Sequence, residues 1–178
     1  PATGEATFPR LQVFGASARG PLGRGLLSLE AGWYRSLDDP DGGDPFVRNS
    51  EARYLVGYEQ ELAPNLTGGL QAYVEQMLDY DAYRRALPDG QPAADEYRQV
   101  LTLRLTRLLM SQNLQLGVFV YWSPTDRDAY LRPKASYKLD DHWLVEVGGN
   151  LFFGADDHTF FGQFERNNNL YASVRYGF

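Results

Sequence analysis

The stretch Asn168-Asn169-Leu170-Tyr171-Ala172-Ser173-Val174-Arg175-Tyr176-Gly177-Phe178 decides how the rest of the sequence is read. Side chains of an extended strand alternate between two faces, so Leu170, Ala172, Val174, Tyr176 and Phe178 share one of them. Tyr171, Ser173, Arg175 and Gly177 share the other. One face is apolar and the other polar over about 9–11 residues, the length at which a tilted strand crosses a bilayer. An aromatic strand running to the last residue is unusual for a soluble chain.

Working outward, the same period-two pattern recurs along the chain. Strand-like segments fall at approximately 8–18, 25–36, 51–62, 66–78, 96–110, 113–122, 129–139, 142–153 and 169–178. No stretch of useful length carries helical periodicity. Short connections, Gly20-Pro21-Leu22-Gly23, Ala63-Pro64-Asn65, Ser111-Gln112 and Asp140-Asp141, alternate with longer polar ones. The longer ones run over 38–49, 79–95, 123–128 and 154–168, so they all gather at one end of the sheet. Such a layout predicts an all-β, antiparallel up-and-down transmembrane β-barrel of eight or nine strands, or part of a larger one, as a single domain over 1–178.

The two faces differ consistently in polarity. Leu101, Leu103, Leu105 and Leu109 oppose Arg98, Thr102, Arg104 and Thr106. Leu131, Pro133, Ala135 and Tyr137 oppose Arg132, Lys134, Ser136 and Lys138. A soluble barrel buries its apolar face and wets its charges, whereas a membrane barrel reverses this, and alternation alone does not say which face is wet. The tryptophans arbitrate. Trp33, Trp122 and Trp143 lie on the apolar face at strand ends, where, with Tyr176 and Phe178, an aromatic girdle at the membrane interfaces would stand.

Composition agrees with this reading. The chain has 178 residues, net charge −6, Tyr 12, Phe 10 and Trp 3. Its mean hydropathy of −0.43 would suggest a soluble acidic protein. A barrel escapes that inference because half of its strand residues face a wet lumen. Zero Cys excludes a disulfide scaffold, a Cys-ligated metal and thiol catalysis. Net negative charge with no Lys/Arg-rich run argues against nucleic acid as a partner. Pro1 opens a polar segment with no signal peptide, as expected of a mature chain or a fragment.

The terminal Phe178, with Tyr176 two residues before it, closely resembles the C-terminal signature strand of Gram-negative outer-membrane β-barrels. Leu55-Val56-Gly57-Tyr58-Glu59, Gly148-Gly149-Asn150-Leu151-Phe152-Phe153-Gly154 and the C-terminus resemble the C-terminal region of larger, poorly characterised porin-like proteins of Proteobacteria. The resemblance implies an outer-membrane location, lipid and lipopolysaccharide around the barrel, and recognition of the last strand by the barrel assembly machinery. It names no substrate. Nine strands break the even-number rule of single-chain bacterial barrels. Either 25–178 close as an eight-stranded barrel, or the chain is the C-terminal part of a longer one; the hairpin-like pairing expected of 8–18 with 25–36 favours the second. A homo-oligomer is compatible with either.

Charges on the polar face sort by strand. Glu30, Glu59, Glu61 and Glu75 come early; Arg98, Arg104, Arg132, Lys134, Lys138 and Arg175 come late, with Glu146 the exception. Opposed acidic and basic walls of a wide pore would order and select small polar or anionic solutes. In a narrow eight-stranded barrel the same residues would form a salt-bridge plug, and the loops would act as an adhesion or binding module. No catalytic residue, cofactor or metal site is expected. Asp38-Asp39-Pro40-Asp41-Gly42-Gly43-Asp44 is carboxylate-rich but lacks EF-hand spacing and reads as turn chemistry. Asp156-Asp157-His158 has no Ser nearby, so Phe160, Phe161 and Phe164 are expected to pack that loop inward or on the rim. Tyr80, Tyr83, Arg84 and Arg85 fit a solvated surface loop better than a sugar or polyanion site.

Overall fold

Alternation over each segment gives a strand with one apolar and one polar face, and the connecting turns set the hairpins. The computed structural model describes residues 8–178; the first seven residues of the expected domain lie outside this range. The strands are β1 (Leu11–Leu22), β2 (Gly25–Ser36), β3 (Glu51–Ala63), β4 (Leu66–Met77), β5 (Tyr97–Leu109), β6 (Leu114–Ser123), β7 (Asp128–Lys138), β8 (Trp143–Gly154) and β9 (Asn169–Tyr176). They form one antiparallel, up-and-down sheet in sequence order. The chain is thus all-β, as the alternation predicts.

The sheet is open. β1 pairs along its whole length with β2, and β9 with β8, and no pairing joins β1 or β2 to β9. Closure of 25–178 as an eight-stranded barrel is therefore not what forms. With nine strands in register and an extra hairpin partner on β2, the eight-strand alternative would have to break the β1–β2 ladder.

Four connections differ from expectation. Pro21 lies inside β1 and the first turn is Gly23-Arg24, with Gly23 at φ 59°. β1 is an edge strand of this sheet, so no described neighbour beyond β2 requires the N–H that proline lacks. The connection at 123–128 is a tight four-residue turn, because Ser123 and Asp128 end their strands as a register pair. The Ser123 hydroxyl accepts the Asp126 N–H at 3.1 Å and so closes it. Finally, Tyr80–Ala86 is a short helix, α1, and Gly162–Asn167 a 3-10 turn, both inside long loops.

Cross-strand register assigns every strand residue to a face. One face carries Leu29, Trp33, Tyr54, Val56, Leu70, Val74, Leu103, Val118, Trp122, Val147, Phe153 and Val174. Nothing covers it, and Leu70 and Val174 are 57% and 64% exposed. Among the described residues only Tyr83 and Val100 are buried hydrophobics. This is a single layer without a second layer to pack on, the arrangement that two-layer domains avoid in water.

Candidate functional site: the polar face of the sheet

The opposite face follows from the same register. The row Glu59–Gly69–Arg104–Phe119–Arg132 crosses five strands. One step toward the long loops runs Arg19–Ser28–Gly57–Gln71–Thr102–Tyr121–Tyr130–Phe152, and two further steps reach Arg53–Glu75–Arg98. Parity places Glu30, Glu61, Lys134, Lys138, Glu146 and Arg175 on this face as well. Small side chains at Gly57 and Gly69 leave a groove of about 450 Å³ lined by Arg19, Glu30, Glu59, Gln71, Arg104 and Phe119. A groove shared by residues from β1 to β6 means that the sheet curves around this face.

Toward the long-loop end the charges are matched in a chain. Arg48 holds Glu51 at 2.6 Å, Arg53 holds Glu51 at 2.7 Å and lies 3.5 Å from Glu75. Arg98 then binds Glu75 at 3.1 Å and Asp126 at 2.6 Å. The Tyr73 hydroxyl donates to Glu75 at 2.9 Å, and Arg98 donates to the Tyr121 hydroxyl at 2.8 Å. Half-buried ions in alternating sign offset one another's desolvation, which isolated ones would not. Glu75 and Arg98 thus belong to this neutralised belt, where sequence order alone assigns them to opposed walls. Lys134 lies 3.0 Å from Glu146, and Lys138 2.9 Å from Asp141 in the adjoining turn. Glu61 accepts the Asn65 N–H at 2.8 Å and so tightens its turn. Glu59 has Arg19 at 4.0 Å. Among the described residues, Arg104, Arg132, Arg175 and Glu30 have no oppositely charged side chain within that distance.

Glu51, Arg53, Arg19 and Asp126 are the members that composition by strand overlooks. Parity reaches the first three, since Glu51 and Arg53 share the face of Glu59. Asp126 is a turn residue, and only the closed turn brings it to Arg98.

The aromatic residues divide between the faces. Trp33 meets Phe14 at 6.2 Å near the long-loop end of the apolar face, and Trp122 stands near that same end. Trp143 meets Tyr176 at 4.8 Å near the short-turn end, with Phe178 6.4 Å beyond. On the polar face, Phe161 of the last loop turns inward. Its ring lies 4.7 Å from Tyr121 and 5.2 Å from Tyr130, and its N–H donates to Asp128 at 2.7 Å. Gly154 and Gly162 permit this, because a Cβ on Gly154 would lie 2.3 Å from the Gly162 Cα.

The remaining loop candidates serve their own loops. Asp39 accepts the N–H groups of Gly43 and Asp44 at 3.0 Å each. Asp38 takes the Arg10 backbone N–H and guanidinium at 2.7–2.8 Å. These hydrogen bonds, the backbone one first, hold its carboxyl below the usual carboxylate range. The Tyr80 and Tyr83 hydroxyls bond to the Ala94 backbone. His158 lines a depression with Asp156, Arg98 and Phe160. Among the described residues no three His, Asp or Glu side chains gather as a metal site. Compared with protein-family models, curated proteins and solved structures, the chain has no match in any of the three.

Proposed function

We propose that this sheet is part of a transmembrane β-barrel in a Gram-negative outer membrane, and that its polar face lines a pore for small polar or anionic solutes. One observation carries the reading: nine strands present an uncovered apolar face on one side and a curved, charged face on the other, with only Tyr83 and Val100 as buried hydrophobics among the described residues. In water the apolar face would cost about 25 cal/mol per Å². Lipid removes that cost, and the charged face stays wet.

Bilayers do not tolerate free strand edges, since no water satisfies their N–H and C=O groups. The edges of β1 and β9 therefore require further strands, making the barrel larger than these nine. A wide barrel leaves an aqueous channel. The matched belt at the long-loop end holds the wall rigid, while Arg104, Arg132 and Arg175, unpaired among the described residues, give the remainder an excess of positive charge facing Glu30 and Glu59. The proposal includes no enzymatic step.

The test is conductance of the full natural protein in planar bilayers under a KCl gradient. Arg104→Gln combined with Lys134→Gln should move the reversal potential toward cation selectivity, the more so because Lys134→Gln also frees the charge of Glu146. An unchanged reversal potential would refute this lining, and no conductance from the parent would refute the pore.

A further inference from the structure

The polar face carries a second recess, of about 400 Å³, below the groove already described. Arg104, Gly117, Phe119, Tyr130, Arg132 and Lys134 define it. Register explains its shape: Arg104–Phe119–Arg132 form one row, and Gly117–Lys134 lie in the next. Gly117 interrupts the wall. A Cβ there would meet only the backbone oxygens of Leu105 and Lys134, at 3.9 and 4.0 Å, so no neighbouring side chain has folded into the gap.

The lining has two chemistries. Arg104 and Arg132 are both exposed on the face, and neither has a carboxylate partner among the described residues. That distinguishes them from Arg53 and Arg98 in the matched belt. Phe119 stands between the two arginines in their row, with the Arg104 guanidinium carbon 5.9 Å from its ring centre. Tyr130 meets Phe119 edge-on at 6.3 Å. A cation that accepts bidentate anions thus borders the Phe119 ring and the position left open at Gly117.

We propose that this recess is a subsite for arene carboxylates: the carboxylate pairs with Arg104, and the ring fills the Gly117 gap against Phe119. The assignment rests on the pore reading for its transport role and names the solute class that role would favour. An aliphatic carboxylate satisfies the cation and leaves the gap empty. A neutral arene fills the gap and leaves the cation unpaired. The subsite therefore selects for both features in one molecule.

Binding is read independently of conductance, by fluorine NMR line broadening of 4-fluorobenzoate with the full natural protein in detergent micelles. Fluoroacetate at the same concentration is the comparison. The expected result is clear broadening of 4-fluorobenzoate and little of fluoroacetate. Arg104→Gln should weaken binding about tenfold, as loss of one charge-assisted contact implies. Gly117→Leu, which fills the gap and keeps every charge, should do the same, and Phe119→Leu gives a second route should the first variant misfold. Arg84→Gln in α1 should change nothing. Equal broadening of the two probes, or full binding by both Gly117→Leu and Phe119→Leu, overturns the subsite. A KCl conductance with no arene preference would overturn the subsite and leave the pore standing. Arene binding without conductance would overturn the pore and leave the subsite.

Discussion

Leu103→Arg is the substitution that most directly separates a lipid-facing sheet from a water-facing one. Leu103 is the middle residue of the thirteen in β5, pairs with Leu70 and Val120, and lies on the apolar face. On the same face of β5 the nearest polar side chains are Gln99 toward the long loops and Arg107 toward the short turns, where it donates to the Pro64 carbonyl. Eight residue steps between them, at ~3.3 Å each and a ~40° tilt, give an apolar band ~20 Å tall. Position 103 then sits ~10 Å from either boundary, beyond comfortable snorkelling of an arginine. A midplane arginine on a lipid face costs about 2–4 kcal/mol. Thr102→Arg, one residue away on the polar face, should cost under about 1 kcal/mol, as for an ordinary wetted surface position. The assay is urea-dependent equilibrium unfolding of the full natural protein in phospholipid vesicles, followed by tryptophan fluorescence. A Leu103→Arg protein within about 0.5 kcal/mol of the parent, or a Thr102→Arg protein equally destabilised, would refute the sidedness assigned to the sheet.

Glu75→Gln should destabilise the fold by about 2 kcal/mol, because Arg53 and Arg98 each lose a charged acceptor while retaining Glu51 and Asp126; the same unfolding titration measures it. Gly154→Ala should undock the last loop, since the added methyl meets the Gly162 backbone, and proteolysis within 155–168 should then accelerate with the strands still protected. The Asp38 carboxyl should titrate below the ordinary carboxylate range and return to it in Arg10→Ala, as NMR titration would report. Its folded value is depressed, so the clamp is complete above the ordinary carboxylate range and is lost as pH falls through the lower, folded value; loss of that tie at neutral pH would contradict the assignment.

Strand positions were legible because the signal is repeated. Each of β2 to β9 begins and ends within about two residues of where alternation places it, even though few of its residues are buried. Pro21 misleads because proline and glycine punctuate most chains, yet an edge strand accommodates them. Helix α1 lacks a side-chain cap and a periodic apolar stripe long enough to register in the sequence. The site was half legible. Parity gives the face of Glu75 or Arg98 directly, but pairing depends on register and on turns such as Pro124–Arg127, whose closure delivers Asp126. Charges that are segregated by strand number become neighbours once two strands lie side by side. Gly117 is the extreme case, because its contribution is an absent side chain whose meaning depends on the rows either side of it.

Each strand pairs only with those immediately before and after it in the chain. Assembly by successive hairpins therefore needs only closures between consecutive strands, and the associated entropy grows slowly even for the long loops. The rims are the exception: β1 and β9 each present a row of N–H and C=O groups that the ladder itself leaves without a partner. Addition of a further strand and termination of the sheet depend on those same groups. The order in which hairpins form thus governs whether a rim meets a further strand or another incomplete sheet.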